Sequence, residues 1–375
     1  MRYYIISGEA SGDLHASNLV RELRLLDADA KIQGWGGDLM EQQGVKLVKH
    51  YRDLAFMGFA EVLFNLRTIL KNIDFCKKDL LAYKPDVLIL VDYPGFNLRI
   101  AKFAHEHGIK VFYYISPSVW AWKESRVKLI KEAVDKMFVI LPFEKPFYAK
   151  HNYVVDYAGH PLLDAIEQKK IEFTTREQFI QQNKLNDKPL IAILPGSRKQ
   201  EISAMLPVMM NVAKQFPQFQ FIIAGSPGLP ESYYQQYLSG SDLRIIFGKT
   251  HEILHHSYAG LIKSGTSTLE AALYDVPQVV CYKGNAVSIW IAKRLANVKY
   301  FSLVNLIMDK PVVKELLQEE MNEETLKAEF TKIRSETGER KAMLKDYEQL
   351  RQDLGNSGAS KRLAALMYGY LKNKN

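Results

Sequence analysis

Among the residues of this chain that could do chemistry, Asp92 stands in the most informative place. The apolar run Val87 to Val91 stops at Asp92-Tyr93-Pro94-Gly95-Phe96-Asn97. A carboxylate at the C-terminal end of a buried strand is where a general base would have to be, unless it only fixes the Pro-Gly turn behind it. A second group lies in Pro195-Gly196-Ser197-Arg198-Lys199-Gln200-Glu201, directly after the strand-like Leu190 to Leu194. Arg198 can present a planar fork to phosphate oxygens, or it can form a surface ion pair with Glu201.

Two further turns join a strand to a helix through glycine. In Gly8-Glu9-Ala10-Ser11-Gly12-Asp13 the glycines leave backbone N–H groups free at a helix start, which attracts phosphate, although Asp13 could serve as a cap. Ser264-Gly265-Thr266-Ser267-Thr268-Leu269-Glu270 offers small hydroxyl groups to a diphosphate. Ser267 and Glu270 also have capping-box spacing, whereas a free Glu270 carboxylate could accept from both ribose hydroxyls. Ser116-Pro117-Ser118-Val119-Trp120-Ala121-Trp122 forms an aromatic loop after another strand, and Gly159-His160-Pro161 adds an imidazole. Buried aromatics and a lone histidine have structural readings of their own.

Phe56 to Lys71 departs from the pattern of a water-facing helix. Its apolar arc includes Phe59, Val62, Leu63, Leu66, Ile69 and Leu70, with Arg67 and Lys71 beside it. That is the composition of a helix lying in an interface with anionic headgroups, while packing on a sheet would account for only one apolar face.

The elements that must position these groups alternate. Strands are expected at Tyr3 to Ser7, Val87 to Val91 and Val111 to Ile115 in the first half. In the second half they are expected at Leu190 to Leu194, Phe219 to Ala224, Leu243 to Phe247, Gly260 to Ile262 and Val276 to Cys281. With helical stretches between them, they predict an α/β chain of two doubly wound parallel sheets facing a cleft. The expected domains are 1–166 and 167–340, with a hinge near 165–188. Helices at 341–375 are expected to pack back on an N-terminal domain, the chain's own or a partner's.

Bulk composition narrows the classes. The 375 residues are 47% hydrophobic and 25% charged, enough for two folded domains. Cys76 and Cys281 stand alone, giving neither a zinc template nor a disulfide framework and favouring a reducing compartment. The N-terminus lacks a signal-peptide core, and no stretch of about 18 apolar residues is present, so a cytoplasmic chain with peripheral membrane contact is expected. The formal charge of +8 favours anionic partners. No RNP-like, KH-like or arginine-rich segment argues for nucleic acid.

Together these segments closely resemble the lipid-A-disaccharide synthases, an inverting glycosyltransferase family of the two-domain GT-B type. The resemblance also rests on Pro142-Phe143-Glu144 and Lys314-Glu315-Leu316-Leu317-Gln318-Glu319 and runs from residue 3 to about 320. Gly95 stands where the family often has an acidic residue, and Val304 where proline is common. The resemblance implies transfer of 2,3-diacylglucosamine from UDP-2,3-diacylglucosamine to 2,3-diacylglucosamine 1-phosphate, with UDP as the second product and no metal or cofactor. It implies Asp92 as base and Arg198 with Ser264 to Thr268 on the departing UDP. Glu270 and Asn305 would hold ribose and base, and the Phe56 to Leu70 segment would admit lipid from the cytoplasmic face of the inner membrane. A homodimer through the C-terminal helices is compatible with it. Rival readings are a muramyl-type glucosaminyltransferase, a UDP-sugar epimerase, and a non-catalytic basic membrane binder.

Overall fold

A computed structural model describes residues 1–54, 66–122, 124–238, 243–284 and 299–373. The chain divides into two compact units, Met1–Ala165 with Gly355–Asn375, and Ile166–Leu354. The first unit holds a seven-stranded sheet of β1 (Arg2–Ser7), β2 (Lys31–Gly36), β3 (Lys46–His50), β4 (Val87–Val91), β5 (Lys110–Tyr114), β6 (Lys136–Val139) and β7 (Asp156–Tyr157). Its order is β3-β2-β1-β4-β5-β6-β7. All six pairings are parallel. The reversal of strand order falls between β1 and β4, so the loops after these strands diverge to opposite faces and leave a crevice at their carboxyl ends.

The second unit repeats the arrangement with β8 (Leu190–Leu194), β9 (Gln220–Gly225), β10 (Arg244–Phe247), β11 (Ser257–Lys263), β12 (Gln278–Tyr282) and β13 (Lys314–Leu317). The order β10-β9-β8-β11-β12-β13 puts its switch point between β8 and β11. Both strands are buried along most of their length, Leu190 to Ile193 and Ala259 to Ile262, as continuous apolar runs in a sheet covered on both faces should be.

The chain crosses from one unit to the other within the helix Pro161–Lys170. The expected split at 341 is displaced, since the helix Gly338–Asp353 belongs to the second unit. Its Tyr347 is buried there and donates to the carbonyl of Val276 at 3.3 Å. Only the last helix, Ala359–Lys372, returns to the first unit. Leu363, Ala364, Met367 and Leu371 pack with Ala16, Leu19, Val20 and Leu23. The Asp164 carboxylate accepts from the N–H groups of Gly358, Ala359 and Ser360 at 2.6, 3.2 and 2.8 Å, capping that helix.

Candidate active site

Asp92 leaves β4 in a left-handed conformation, φ +48°, and Tyr93 follows at φ +50°. Two consecutive non-glycine residues there are strained, and such strain persists only when the surroundings over-determine it. They do so here. The Asp92 carbonyl accepts from the Tyr113 hydroxyl and the Asn97 amide, each at 2.7 Å, and the Asp92 N–H donates to Tyr114 at 3.0 Å. Pro94 then opens the helix Pro94–Glu106.

The parallel register that pairs Ser7 with Val91 carries Gly8 and Glu9 beside this turn. A Cβ on Gly8 would meet the Tyr93 ring at 2.4 Å, so glycine is required there by close packing. Burial, then the negative charge of Glu9, raises the Asp92 carboxyl to about 6 against the Tyr93 N–H that stabilises its anion. Two carboxylates therefore share the first switch point. Sequence reasoning left Glu9 out, although the adjacency of β1 and β4 was its available signal.

Asp13 is not available to a phosphate. Its buried carboxylate accepts from the N–H groups of Gly37, Leu39 and Met40 at 2.8, 3.1 and 3.2 Å, fixing the turn into the helix Asp38–Gln42. Gly12 is held by packing, its missing Cβ lying 2.5 Å from Ser7 Oγ, while Ser11 is exposed.

At the carboxyl end of β5, Ile115 is also left-handed, φ +64°, and so leaves the expected strand. The loop it starts is anchored from beneath. Ser116 is buried, with its hydroxyl 2.7 Å from that of Tyr148. Glu144 accepts from Ile140 and Leu141 at 3.2 and 2.9 Å, and burial lifts its carboxyl to about 7 despite those donors and Ser116 and Trp120 beside it. Trp120 and Phe143 meet edge to face, with centroids 4.9 Å apart. Ser118 is exposed, and the Trp122 side chain lies outside the described residues. His160 is buried and accepts from the Leu162 N–H at 3.2 Å; burial, then His15, lowers it to about 3, so it is a neutral structural imidazole.

In the second unit, the β8 loop turns at Gly196, φ +114°. Glu201 reaches back to the N–H groups of Ser197 and Arg198 at 3.1 and 3.3 Å, so these two donors are already engaged. The Arg198 guanidinium is 72% exposed and 3.8 Å from Glu201, a loose pair that leaves its fork free to swing. Beyond β11, Gly265 is the N-cap of the helix Thr266–Leu273, φ +153°. The N–H groups of Thr266 and Ser267 open that helix, where no intrahelical acceptor exists.

Ser264, expected to donate to a diphosphate, instead donates to the Phe301 carbonyl at 2.8 Å. The capping box of Ser267 with Glu270 does not form, because the helix begins at Gly265. Among the described residues no group donates to the Glu270 carboxylate, which burial lifts to about 7.

Asn305 corrects an expectation. It is 1% exposed, and its amide donates to Val313 and Glu315 at 2.9 Å each while accepting from the Val313 N–H at 2.9 Å. Glu315 also binds Phe301 and Ser302. Every polar atom of the Asn305 side chain is engaged, so it shapes the 301–313 segment rather than touching a nucleotide base.

Phe59, Val62 and Leu63 lie outside the described residues, as does the Leu66 side chain. The helix Leu66–Tyr83 packs Ile73, Cys76 and Leu80 into the core with half-buried Ile69, which accounts for its inner face. Leu70 and Phe75 remain 49% and 47% exposed, with exposed Arg67, Lys71 and Lys78 on the same helix. No helix among the described residues is long and apolar enough to cross a membrane.

The family model for lipid-A-disaccharide synthetase matches residues 3–367. The lipid-A-disaccharide synthase of Syntrophus aciditrophicus (strain SB) is 38% identical, over 98% of this chain and 97% of that protein. Among solved structures, the UDP-GlcNAc 2-epimerase from Neisseria meningitidis, bound to UDP-GlcNAc, superposes with a TM-score of 0.65 at 17% identity, covering all of both chains. The calicheamicin glycosyltransferase CalG4 gives 0.62 at 15% identity, over 99% of this chain and 98% of that one. At those identities the structural likeness concerns the fold alone, which GT-B glycosyltransferases and epimerases share.

Proposed function

The chain belongs to the lipid-A-disaccharide synthetase family, and on that premise we propose that its two switch points divide one reaction between them. The protein is a glycosyltransferase of lipid A biosynthesis. The family's reaction joins UDP-2,3-diacylglucosamine to 2,3-diacylglucosamine 1-phosphate through a β-1,6 bond, with inversion, and releases UDP.

Inversion by one displacement needs a base on the acceptor 6-hydroxyl as it attacks C1. Asp92 is assigned that role. A carboxyl at about 6 is ionised at neutral pH yet more basic than an ordinary aspartate, which suits a general base better. The observation that carries this reading is the locked left-handed turn at Asp92, which fixes a raised carboxylate at the carboxyl end of β4 beside Glu9. Glu9 acts on Asp92 by charge and keeps its basicity up.

Departure of UDP requires positive potential where the diphosphate charge grows. Arg198 and the opening N–H groups of the helix Thr266–Leu273 are assigned to it, with Glu270 on the ribose hydroxyls. The exposed Leu70 and Phe75 among Arg67, Lys71 and Lys78 support peripheral contact with an anionic bilayer, on the cytoplasmic face, where acylated substrates would be met. In the same proposal the helix Ala359–Lys372, which closes on the first unit, is the element two copies would exchange in a homodimer.

Purified protein given both acylated sugars should release UDP and yield a product whose mass equals the disaccharide 1-phosphate. Plain UDP-GlcNAc offered alone should be left unchanged. Conversion of that sugar, with no disaccharide formed from the acylated pair, would favour an epimerase and end this reading.

A further inference from the structure

Lys263 sits where the β8 and β11 loops of the proposed donor site meet. It is the last residue of β11, one of the two strands flanking the second switch point. Its side chain is 21% exposed, with Nζ 3.0 Å from Glu201 Oε1. Among the described residues, a Cβ on Gly265 would find that same Nζ at 3.7 Å, so the glycine turn borders the ammonium. Tyr282 offers a ring face 5.9 Å away.

Charge and hydrogen bonding both suggest more than a structural ion pair. Among the described residues two cations, Lys263 and Arg198, meet a single carboxylate, Glu201, which leaves that group of three with a net positive charge. Burial alone would raise the Glu201 carboxyl, but Lys263 and the N–H groups of Ser197 and Arg198 outweigh it and hold it below the usual carboxylate range. An anion is therefore already stabilised where the β8 and β11 loops converge, by donors of the kind a phosphate uses.

We propose that Lys263 is a second cation of the donor's diphosphate site, contacting the terminal phosphate of UDP while Glu201 orients it. This rests on the reading that the carboxyl ends of β8 and β11 hold UDP. In the transfer, the bond from C1 to the diphosphate oxygen breaks and its electron pair stays on that oxygen. The acceptor oxygen forms the new bond to C1, and its proton passes to Asp92. Lys263 neutralises the charge gained by the phosphate without giving up a proton.

Calorimetric titration of the full chain with UDP and with UMP tests the assignment. Lys263→Met should weaken UDP about tenfold, the loss expected for one charge-assisted contact, and should leave UMP nearly unchanged. Lys263→Arg, which keeps the charge, should stay within about threefold of the parent. Lys263→Met combined with Glu201→Gln should remain weak, because what is lost is the contact of Lys263 itself and not shielding of a carboxylate that would otherwise repel the ligand. Recovery of parental affinity in that double variant would overturn the proposal, as would equal losses for UDP and UMP. Unchanged UDP affinity in Lys263→Met alongside weakened binding in Arg198→Ala would overturn it while leaving the donor site standing. Parental UDP affinity in both single variants would overturn the donor site itself. A thermal melt of each variant confirms that folded protein is being titrated.

Discussion

Replacing Asp92 with asparagine should make the protein more stable as it makes it inactive. The fold holds this carboxyl at about 6 against an ordinary value of 3.8, with burial the larger cause and Glu9 the next. Because the folded pKa is the higher one, the native state binds the proton more tightly between about pH 4 and pH 6. The contribution is therefore complete below about pH 4 and is lost as pH rises through 6. At neutral pH the ionised side chain costs about 1–3 kcal/mol, the upper end being the full shift and the lower end allowing for its partial exposure. Asparagine carries no charge, can still accept from the Tyr93 N–H, and tolerates the left-handed turn. Urea unfolding at pH 7.5 and pH 4, followed by tryptophan fluorescence, reads the difference. Trp35, Trp120 and Trp122, three of the four tryptophans, report on the first unit. The variant should be more stable by about 1–3 kcal/mol at pH 7.5, and the gap should shrink towards zero at pH 4. Equal stability at pH 7.5, or a gap that does not change with pH, would refute the electrostatic account of the site.

Three further outcomes follow from the same structure. Glu9→Gln should move the acid limb of the kcat/KM profile to lower pH, because it removes the smaller of the two causes that raise Asp92; an unmoved limb would dissociate the two carboxylates. Asn305→Ala leaves the Val313 N–H and carbonyl without their partners and should lower unfolding stability by about 2–4 kcal/mol. Selective loss of UDP affinity with unchanged stability would restore Asn305 as a ligand contact. Leu70→Ser with Phe75→Ser should release the protein from vesicles containing anionic lipid while leaving its melting temperature close to the parent's; a large fall in melting temperature would return that helix face to the core.

Much of the strand framework is legible because buried parallel strands read as uninterrupted apolar runs, as Val87 to Val91 and Leu190 to Leu194 do. β2 escapes that signal. Its sequence Lys-Ile-Gln-Gly-Trp-Gly includes Gly34, where a Cβ would lie 1.9 Å from the carbonyl oxygen of Ile5, so a close backbone approach interrupts the pattern. β3 lies at an edge of its sheet and carries Lys46, Lys49 and His50, while β7 has only two residues. The location of Asp92 at a strand end was readable, but its strained backbone was not, because the restraint comes from Tyr113 and Asn97 through tertiary packing. Asp13, Ser264 and Asn305 show the converse. A polar side chain in a glycine-rich or post-strand loop looks alike in sequence whether it waits for a ligand or holds a neighbouring turn. Only the positions of Gly37, Phe301 and Val313 decide between the two.

If Asp92 acts on the acceptor while Arg198 holds the departing nucleotide, binding and turnover separate. UDP affinity and turnover measured side by side on two variants test it most directly. Asp92→Asn should keep parental UDP affinity and lose at least about 100-fold in kcat. Arg198→Ala should weaken UDP about tenfold as well as slow transfer. Full turnover by Asp92→Asn, or unchanged UDP affinity in Arg198→Ala, would contradict the account.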